Sequence, residues 1–290
     1  TIMTVRTGQQ YIDGLNDGRE VWYAGERVED VVTCAEFRPT IESVAHLYDM
    51  QHDPAHRDVL VADSEEFGES IGRAFEFPRT AEQLRLKREA YITWAESNCG
   101  MLGRSPDFLN VMVAALAAKR DYFAAGGEER AQAVADYYRH IASKDLFLTH
   151  ALLDPQLDKG KLRHEQSDPG ICLRQVDQNA DGIVLDGIKR IATVAPIADE
   201  ILVWPFPPTF QAGEEDYANV FAIPMNTPGL KTVCRPSFTR HGAARDFPLS
   251  SRFDEMDATV IFDNVLVPWE RVFINRNIPL LNRMYRDSRM

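Results

Sequence analysis

The chain reads as an α+β protein, a helical first half followed by a β-rich second half. Three observations predict this. Before residue 154, apolar side chains recur at three-to-four spacing in several long segments. After it, the period drops to two in runs of β-branched residues. Between the two regimes lies a polar stretch, DKGKLRHEQSDPG, of the composition that loops favour. The expected layout is a helical domain over residues 1–154, a β-rich domain over 155–275, and the opening of a further helical part over 276–290.

Each element has a local reason. Thr7 opens a short helix with Tyr11, Ile12 and Leu15 on one face, and Gly14, Gly18 and Gly25 punctuate a small β-like piece, EVWYAGERVEDV. Residues 41–48 carry an amphipathic helical pattern. Residues 80–97 carry another, with Thr80 as N-cap and Leu84, Leu86, Tyr91, Ile92 and Trp94 as its core-facing positions. Residues 109–123 and 128–143 are Ala-rich and helical, with Gly126-Gly127 between them as a stop. Candidate strands cover residues 171–176, 182–185, 201–204, 220–223, 230–234, 259–262 and 265–268. Residues 279–285 begin a last helix.

Composition narrows the function. A net charge of −12 and a pI near 5.1 repel phosphate backbones, and no basic stripe is present, so nucleic acid is not an expected partner. No apolar run approaches the roughly 20 residues needed to cross a bilayer, and TIMTVRTGQQ lacks the apolar core of a signal peptide. Cys34, Cys99, Cys172 and Cys234 form no CxxC pair and read as reduced thiols of a cytoplasmic protein. Asp177-Gln178-Asn179-Ala180-Asp181-Gly182 copies the first half of a calcium loop, but the twelfth position is Ile188 and the flanks are strands, so a hairpin turn is expected. His46, His52 and His56 are not expected to hold a metal, because Pro54 breaks the helix that would align them. No GxGxxG or phosphate-loop lysine motif occurs.

Two stretches carry candidate chemistry. In CGMLGRSPDFLN, Pro106 can start a helix, Asp107 suits its first turn, and Arg104 sits just ahead of it. This is either a plain helix start with a surface arginine or a site where donors converge on an anionic oxygen. His150 lies in the nearly apolar run KDLFLTHAL, either as a satisfied core residue or as a titratable group moved by burial. Gln156, just beyond, reads alone as a loop residue.

The run ICLRQVDQNADGIVLDGIKRIATVAPIADEILVWP is similar to the middle β-domain of the acyl-CoA dehydrogenase superfamily, in which a hydroxyl residue at the Thr193 position faces the flavin. Together with RTGQQYIDGLNDGREVWYAGERVEDV, SVAHLYDMQHDP, GRSPDFLN, LTHALLDPQLDK and PLSSRFDEMDATVIFDNVLVPWERVF, it resembles the oxygenase component of two-component 4-hydroxyphenylacetate 3-monooxygenases, a family that includes chlorophenol monooxygenases. The resemblance implies an acyl-CoA dehydrogenase-like fold: a helical N-terminal domain, a β-barrel-like middle domain, and a C-terminal helical bundle of which this chain holds only the start. It implies a homotetramer that uses reduced FAD, delivered by a separate NAD(P)H-flavin reductase, and O2 to hydroxylate a small aromatic substrate ortho to a phenolic OH. By the same resemblance Arg104 and His150 hold the substrate oxygen as an anion, Thr193 with Ala192 lies beside the flavin, and Gln156 is a weaker flavin-side candidate. Phe108 stands where the family usually has Tyr, in the substrate pocket. That removes a donor worth about 0.5–1.5 kcal/mol net and leaves open a different phenol, a heteroaromatic or a carrier-bound aryl group. The alternative enzyme reading is a flavin-dependent dehydratase or dehydrogenase of a CoA thioester, as in 4-hydroxybutyryl-CoA dehydratase. Against it, Cys99 is followed by Gly103 where an iron–sulfur cluster would need a second Cys. A third reading is a non-catalytic assembly or regulatory partner.

Overall fold

The computed structural model describes residues 5–207, 209–239 and 244–288. Thr7 caps α1 (Gly8–Gly14) with a reciprocal capping box to Gln10. A hairpin of β1 (Glu20–Tyr23) and β2 (Glu26–Val28) follows, then α2 (Arg38–Met50), a single turn α3 (Arg57–Leu60), and a second hairpin, β3 (Val61–Ser64) and β4 (Glu69–Gly72). Next come α4 (Ala81–Ser97), whose N-cap is Thr80 in a capping box with Gln83, α5 (Pro106–Ala118), α6 (Glu128–Lys144) and β5 (Leu148–Ala151). The remainder is β6 (Arg174–Gln178), β7 (Gly182–Thr193), β8 (Glu200–Val203), β9 (Val220–Pro224), β10 (Leu230–Cys234), the turn α7 (Ser250–Phe253), β11 (Asp257–Pro268), β12 (Val272–Ile274) and α8 (Ile278–Ser288).

The larger strands form two sheets. One has six strands in the order β2-β1-β10-β11-β7-β6, antiparallel except for β1 beside β10. The other has four, β12-β9-β8-β5, in which β5 runs parallel to β8 with His150 opposite Leu202. Strands from the first half are therefore built into both sheets: β1 and β2 into the larger, β5 into the smaller. One core packs Tyr11, Ile41, Val44 and Tyr48 of α1 and α2 with Ile183, Leu185, Val260 and Phe262 of the larger sheet. A second packs Leu109, Val113, Val134 and Ile141 of α5 and α6 with Leu202, Ala222 and Phe273 of the smaller.

Several expectations need correction. The helix anticipated over 109–123 ends at Ala118, and residues 120–126 continue as a 3-10 turn. The strand expected at 182–185 is part of one twelve-residue strand, β7, and the two expected at 259–262 and 265–268 are parts of another, β11. The strand expected from residue 171 starts at Arg174. The hairpin β3–β4 had no counterpart in the sequence reading. In α4 the core face is Lys87, Ala90 and Trp94, while Leu84 and Ile92 are exposed. Lys87 replaces an apolar residue there because its stem lies in the core while Nζ donates to the Glu76 carbonyl at 2.6 Å. Burial, opposed by the Glu76 charge, pushes its pKa down to about 8.

A buried ion pair joins the N-terminus to both halves. The Arg6 guanidinium bonds the carboxylate of Asp199 and, at 3.1 Å, the Tyr48 hydroxyl, while Asp199 also accepts from the Phe147 amide at 2.7 Å. Removing one partner of such a pair strands the other charge out of water. Asp199→Ala is therefore expected to cost about 3–5 kcal/mol, read as a fall in the urea midpoint, and the double variant Arg6→Met/Asp199→Leu to cost less than the single one.

Candidate active site

Three segments converge: the loop before α5, the strand β5, and the end of β7. The loop turns sharply through Cys99 and Gly100, both at positive φ, and enters α5 with Pro106 in its first turn. The Glu255 carboxylate, just ahead of β11, accepts from the Arg104 amide and ties the loop to the larger sheet. Burial holds the Glu255 pKa above the ordinary carboxylate value, though the Arg104 amide and charge act the other way.

The side chain of Arg104 lies across the aromatic face of Phe108, 4.3 Å from the ring centre, and its Nε donates to His150 Nε2 at 3.2 Å. Nη1 reaches the Gly103 carbonyl at 3.2 Å, and Nη2 has no hydrogen-bond partner among the described residues. The His150 ring is 6% exposed, between Phe108 at 5.9 Å and Trp204 at 5.7 Å. Trp204 Nε1 in turn bonds the Tyr285 hydroxyl of α8. Because Nε2 accepts from a permanent cation, the imidazole proton belongs on Nδ1, which is buried and unpartnered among the described residues. Burial first, and then the Arg104 charge, push the His150 pKa from 6.5 down to about 4. The imidazole is neutral throughout the physiological range.

Thr193 owes its orientation to a bulge. In β7 the residues Ile183, Leu185 and Lys189 are buried at alternate positions, which would carry Ile191 and Thr193 to the core. Ile191 instead has φ +59, and the register with β11 slips between the Lys189↔Val260 and Ala192↔Ala258 pairs. The extra residue reverses the alternation, so Ala192 is fully buried and Thr193 is half-exposed. Thr149, beside His150 on β5, donates its hydroxyl to the Thr193 carbonyl at 2.6 Å. The Thr193 hydroxyl donates to Asp257 Oδ1 at 2.8 Å, which leaves its lone pairs as acceptors.

The structure thus brings Arg104, Phe108 and His150 into direct contact and joins Thr193 to them through Thr149. It does not bring in the other two candidates. Gln156 sits on an exposed bend with no hydrogen bond to the described residues, and the Ala192 side chain lies in the core. Thr149, Trp204, Glu255, Asp257 and Tyr285 were given no role by the sequence. Only the strand pattern around Trp204 and the helical pattern that reaches Tyr285 offered a signal, and neither reveals a partner.

A sequence profile described as 4-hydroxyphenylacetate 3-hydroxylase N terminal matches residues 7–274. The chain belongs to the 4-hydroxyphenylacetate 3-hydroxylase family. Within that family, a Thermus thermophilus protein named 4-hydroxyphenylacetate 3-monooxygenase oxygenase component is 47% identical over 97% of this chain and 57% of its own length. The oxygenase component of a 4-nitrophenol 2-monooxygenase from Rhodococcus is 37% identical over 92% of this chain and 51% of its own. A crystal structure of a 4-hydroxyphenylacetate 3-monooxygenase oxygenase component, complexed with FAD and 4-hydroxyphenylacetate, superposes with a TM-score of 0.90 and 46% identity over 98% of this chain and 58% of that one. The chain therefore spans a little over half the length of the relatives it matches. A 4-hydroxybutyryl-CoA dehydratase from N. maritimus has a TM-score of 0.82 at 23% identity over 96% of this chain, a likeness of fold alone. The α+β fold expected from the sequence is the one observed, and it is the fold of the solved oxygenase component.

The Thr193 hydroxyl, its proton committed to Asp257, offers lone pairs, and the stranded Nδ1 donor of His150 calls for an acceptor next to it. Among the described residues no three His, Cys, Asp or Glu side chains gather as a metal site. Nor is any helix among the described residues long and apolar enough to cross a membrane.

His150 has a signature in stability. The unfolded imidazole takes up a proton near pH 6.5 and the folded one only near 4. Between those values the unfolded chain binds more protons, so stability falls as pH is lowered through the window. Relative to His150→Gln, the parent chain is expected to lose about 2–3 kcal/mol more between pH 7 and pH 4, read from urea midpoints. Parallel pH dependences would contradict a neutral buried His150.

Proposed function

We propose that this chain belongs to an oxygenase component of a two-component flavin-dependent monooxygenase, which hydroxylates a phenolic substrate ortho to its OH. The observation that carries the reading is the contact between Arg104 and a neutral, buried His150 with unused donors on both. Bound reduced FAD would supply the activated oxygen, and Thr193 with the backbone at Ala192 would hold the flavin, while Gln156 stands apart from them.

The residues divide the remaining work. Attack by a ring carbon is easier from a phenolate than from a phenol, so charge held on the substrate oxygen lowers the barrier. Arg104 supplies that charge permanently. His150, with a pKa near 4 in the free site, is a poor acceptor for the phenol proton, and its Nδ1–H acts as a donor to the oxyanion. The phenol proton therefore passes to solvent. Phe108 and Trp204 wall the imidazole with apolar surface and exclude water from the reacting oxygen. Phe108 contributes no hydroxyl, so the site stabilises the oxyanion with one donor fewer. That favours phenols acidic enough to ionise with Arg104 alone, as nitro- and halophenols are.

The family's reductase, a homotetrameric assembly and a cytoplasmic location complete this reading, which rests on resemblance for those three points. The CoA-thioester alternative has only the shared fold in its favour, with Cys99 exposed and distant in sequence from any other cysteine.

The direct test supplies chemically reduced FAD and O2 with a panel of phenols that includes 4-hydroxyphenylacetate and 4-nitrophenol. An ortho-hydroxylated product is expected; none from any phenol would overturn the proposal. Arg104→Ala and His150→Ala are expected to lower product formed per oxygen consumed by about tenfold or more while FAD still binds, and Thr193→Val to weaken FAD binding first. Unaltered hydroxylation in Arg104→Ala would remove Arg104 from the site. Phe108→Tyr is expected to tighten phenol binding several-fold, in line with about 0.5–1.5 kcal/mol for one restored hydrogen bond.

A further inference from the structure

We propose that the small recess between α4 and α5 is a binding site for one water molecule, held by Trp94, Asn110 and Tyr91. The space is bounded by Leu60, Gly72, Phe75 and Ala90 on its apolar side and by these three residues, Asp107 and Asp145 on its polar side. Its free volume open to the centre of a water molecule is about 10 Å³, room for about one molecule and no larger ligand.

The polar atoms on its walls require an occupant. Trp94 Nε1, Asn110 Oδ1 and the Tyr91 hydroxyl are all buried, and none has a hydrogen-bond partner among the described residues. Trp94 is 6% exposed and Asn110 1%. Unpaired groups this deep are rare in native proteins, because each forfeits its hydration without return. The neighbouring groups that bond elsewhere do not supply the contacts. The Arg73 guanidinium reaches the carbonyls of Val59, Asp58 and Val61 and the Glu76 carboxylate. Asp107 accepts from the Ser105 hydroxyl, and Asp145 from the Arg6 amide and from Gln51.

The inventory of unpaired atoms selects the occupant. An indole N–H only donates, an amide oxygen only accepts, and a phenol hydroxyl does either. A water that accepts from Trp94, donates to Asn110 and bonds Tyr91 makes three hydrogen bonds, the usual number for a buried water. A cation would meet the indole N–H and the Arg73 charge, and an anion would meet Asp107 and Asp145. Gly72 helps to keep the space open: a Cβ there would come within 3.2 Å of Asp145 Oδ1 and Gln51 Oε1. Tyr91 also lines the open groove on the outer side of α4 and α5, so rotation of its ring gives water a way in. The bound water ties α4 to the first two turns of α5, the segment that begins beside Arg104 and carries Phe108.

A crystal structure of the chain tests this directly. One density peak within hydrogen-bond distance of Trp94 Nε1, Asn110 Oδ1 and Tyr91 Oη is expected, and an empty space would overturn the proposal. Thermal unfolding gives an independent measure. Trp94→Phe and Asn110→Leu each remove one contact to the same molecule, so each is expected to lower Tm by several degrees and the double variant to lower it by clearly less than the sum. Strictly additive losses would mean the two side chains share no ligand and would overturn it as well. Trp94→Phe alters no catalytic contact and keeps its ring, so its structure can be read even if Asn110→Leu fails to fold.

Discussion

One hydrogen bond organises the candidate site: the Nε–H of Arg104 pointing at Nε2 of His150. A guanidinium never gives up its proton, so this contact fixes the tautomer and adds to burial in keeping the imidazole neutral. A lone buried histidine could adopt either tautomer; this one is left with a donor facing the interior. Everything nearby serves to hold the two residues together. Glu255 grips the loop that bears Arg104, the parallel pairing of β5 with β8 sets the position of His150, and Phe108 and Trp204 close over the pair. The site is therefore a charged donor next to a neutral one, suited to an oxyanion and poorly suited to general-base work.

The second constraint is the bulge in β7. A strand with unbroken alternation would send Thr193 into the core and leave Ala192 outside, and no hydroxyl would stand near β5. A β-branched residue held at positive φ is strained, by about 1–2 kcal/mol, and such strain persists only where the surrounding structure enforces it. Here the enforcement comes from β11 on one side, and from Lys189 and Asp154 on the other. Lys189 bonds Asp154 at 2.6 Å, Arg163 bonds the same carboxylate at 2.6 Å, and the chain leaving β5 is pinned between them. Burial opposes ionisation of Asp154, but the two cations prevail and keep its pKa below the ordinary value.

Local features were legible in the sequence and long-range ones were not. Thr7 and Thr80 announce helix starts because a capping box needs only residues three apart, and both boxes form. The change of period near residue 154 correctly announces strands, yet it does not reveal that β1, β2 and β5 leave the helical half to pair with them. Counting apolar residues misplaced the inner face of α4, because a lysine stem and an alanine pack where leucines were expected. Arg104 and His150 drew notice singly, from a loop and an apolar run. Their contact across 46 residues of chain depends on a parallel strand pairing that no local pattern encodes. Thr149, Trp204 and Asp257 carry no signal of their own, since their importance lies wholly in which residues the fold sets beside them.

The central proposal is that Arg104 makes this site hold a phenol as its anion. Bound 4-nitrophenol reports its own ionisation by colour, so a spectral pH titration of the flavin-loaded protein with this ligand reads the claim directly. The account predicts the yellow phenolate form in the bound state at pH values well below the pKa of the free phenol, and a return towards the free value when Arg104 is replaced by Met. A bound ligand that stays colourless until the free pKa is reached would contradict it.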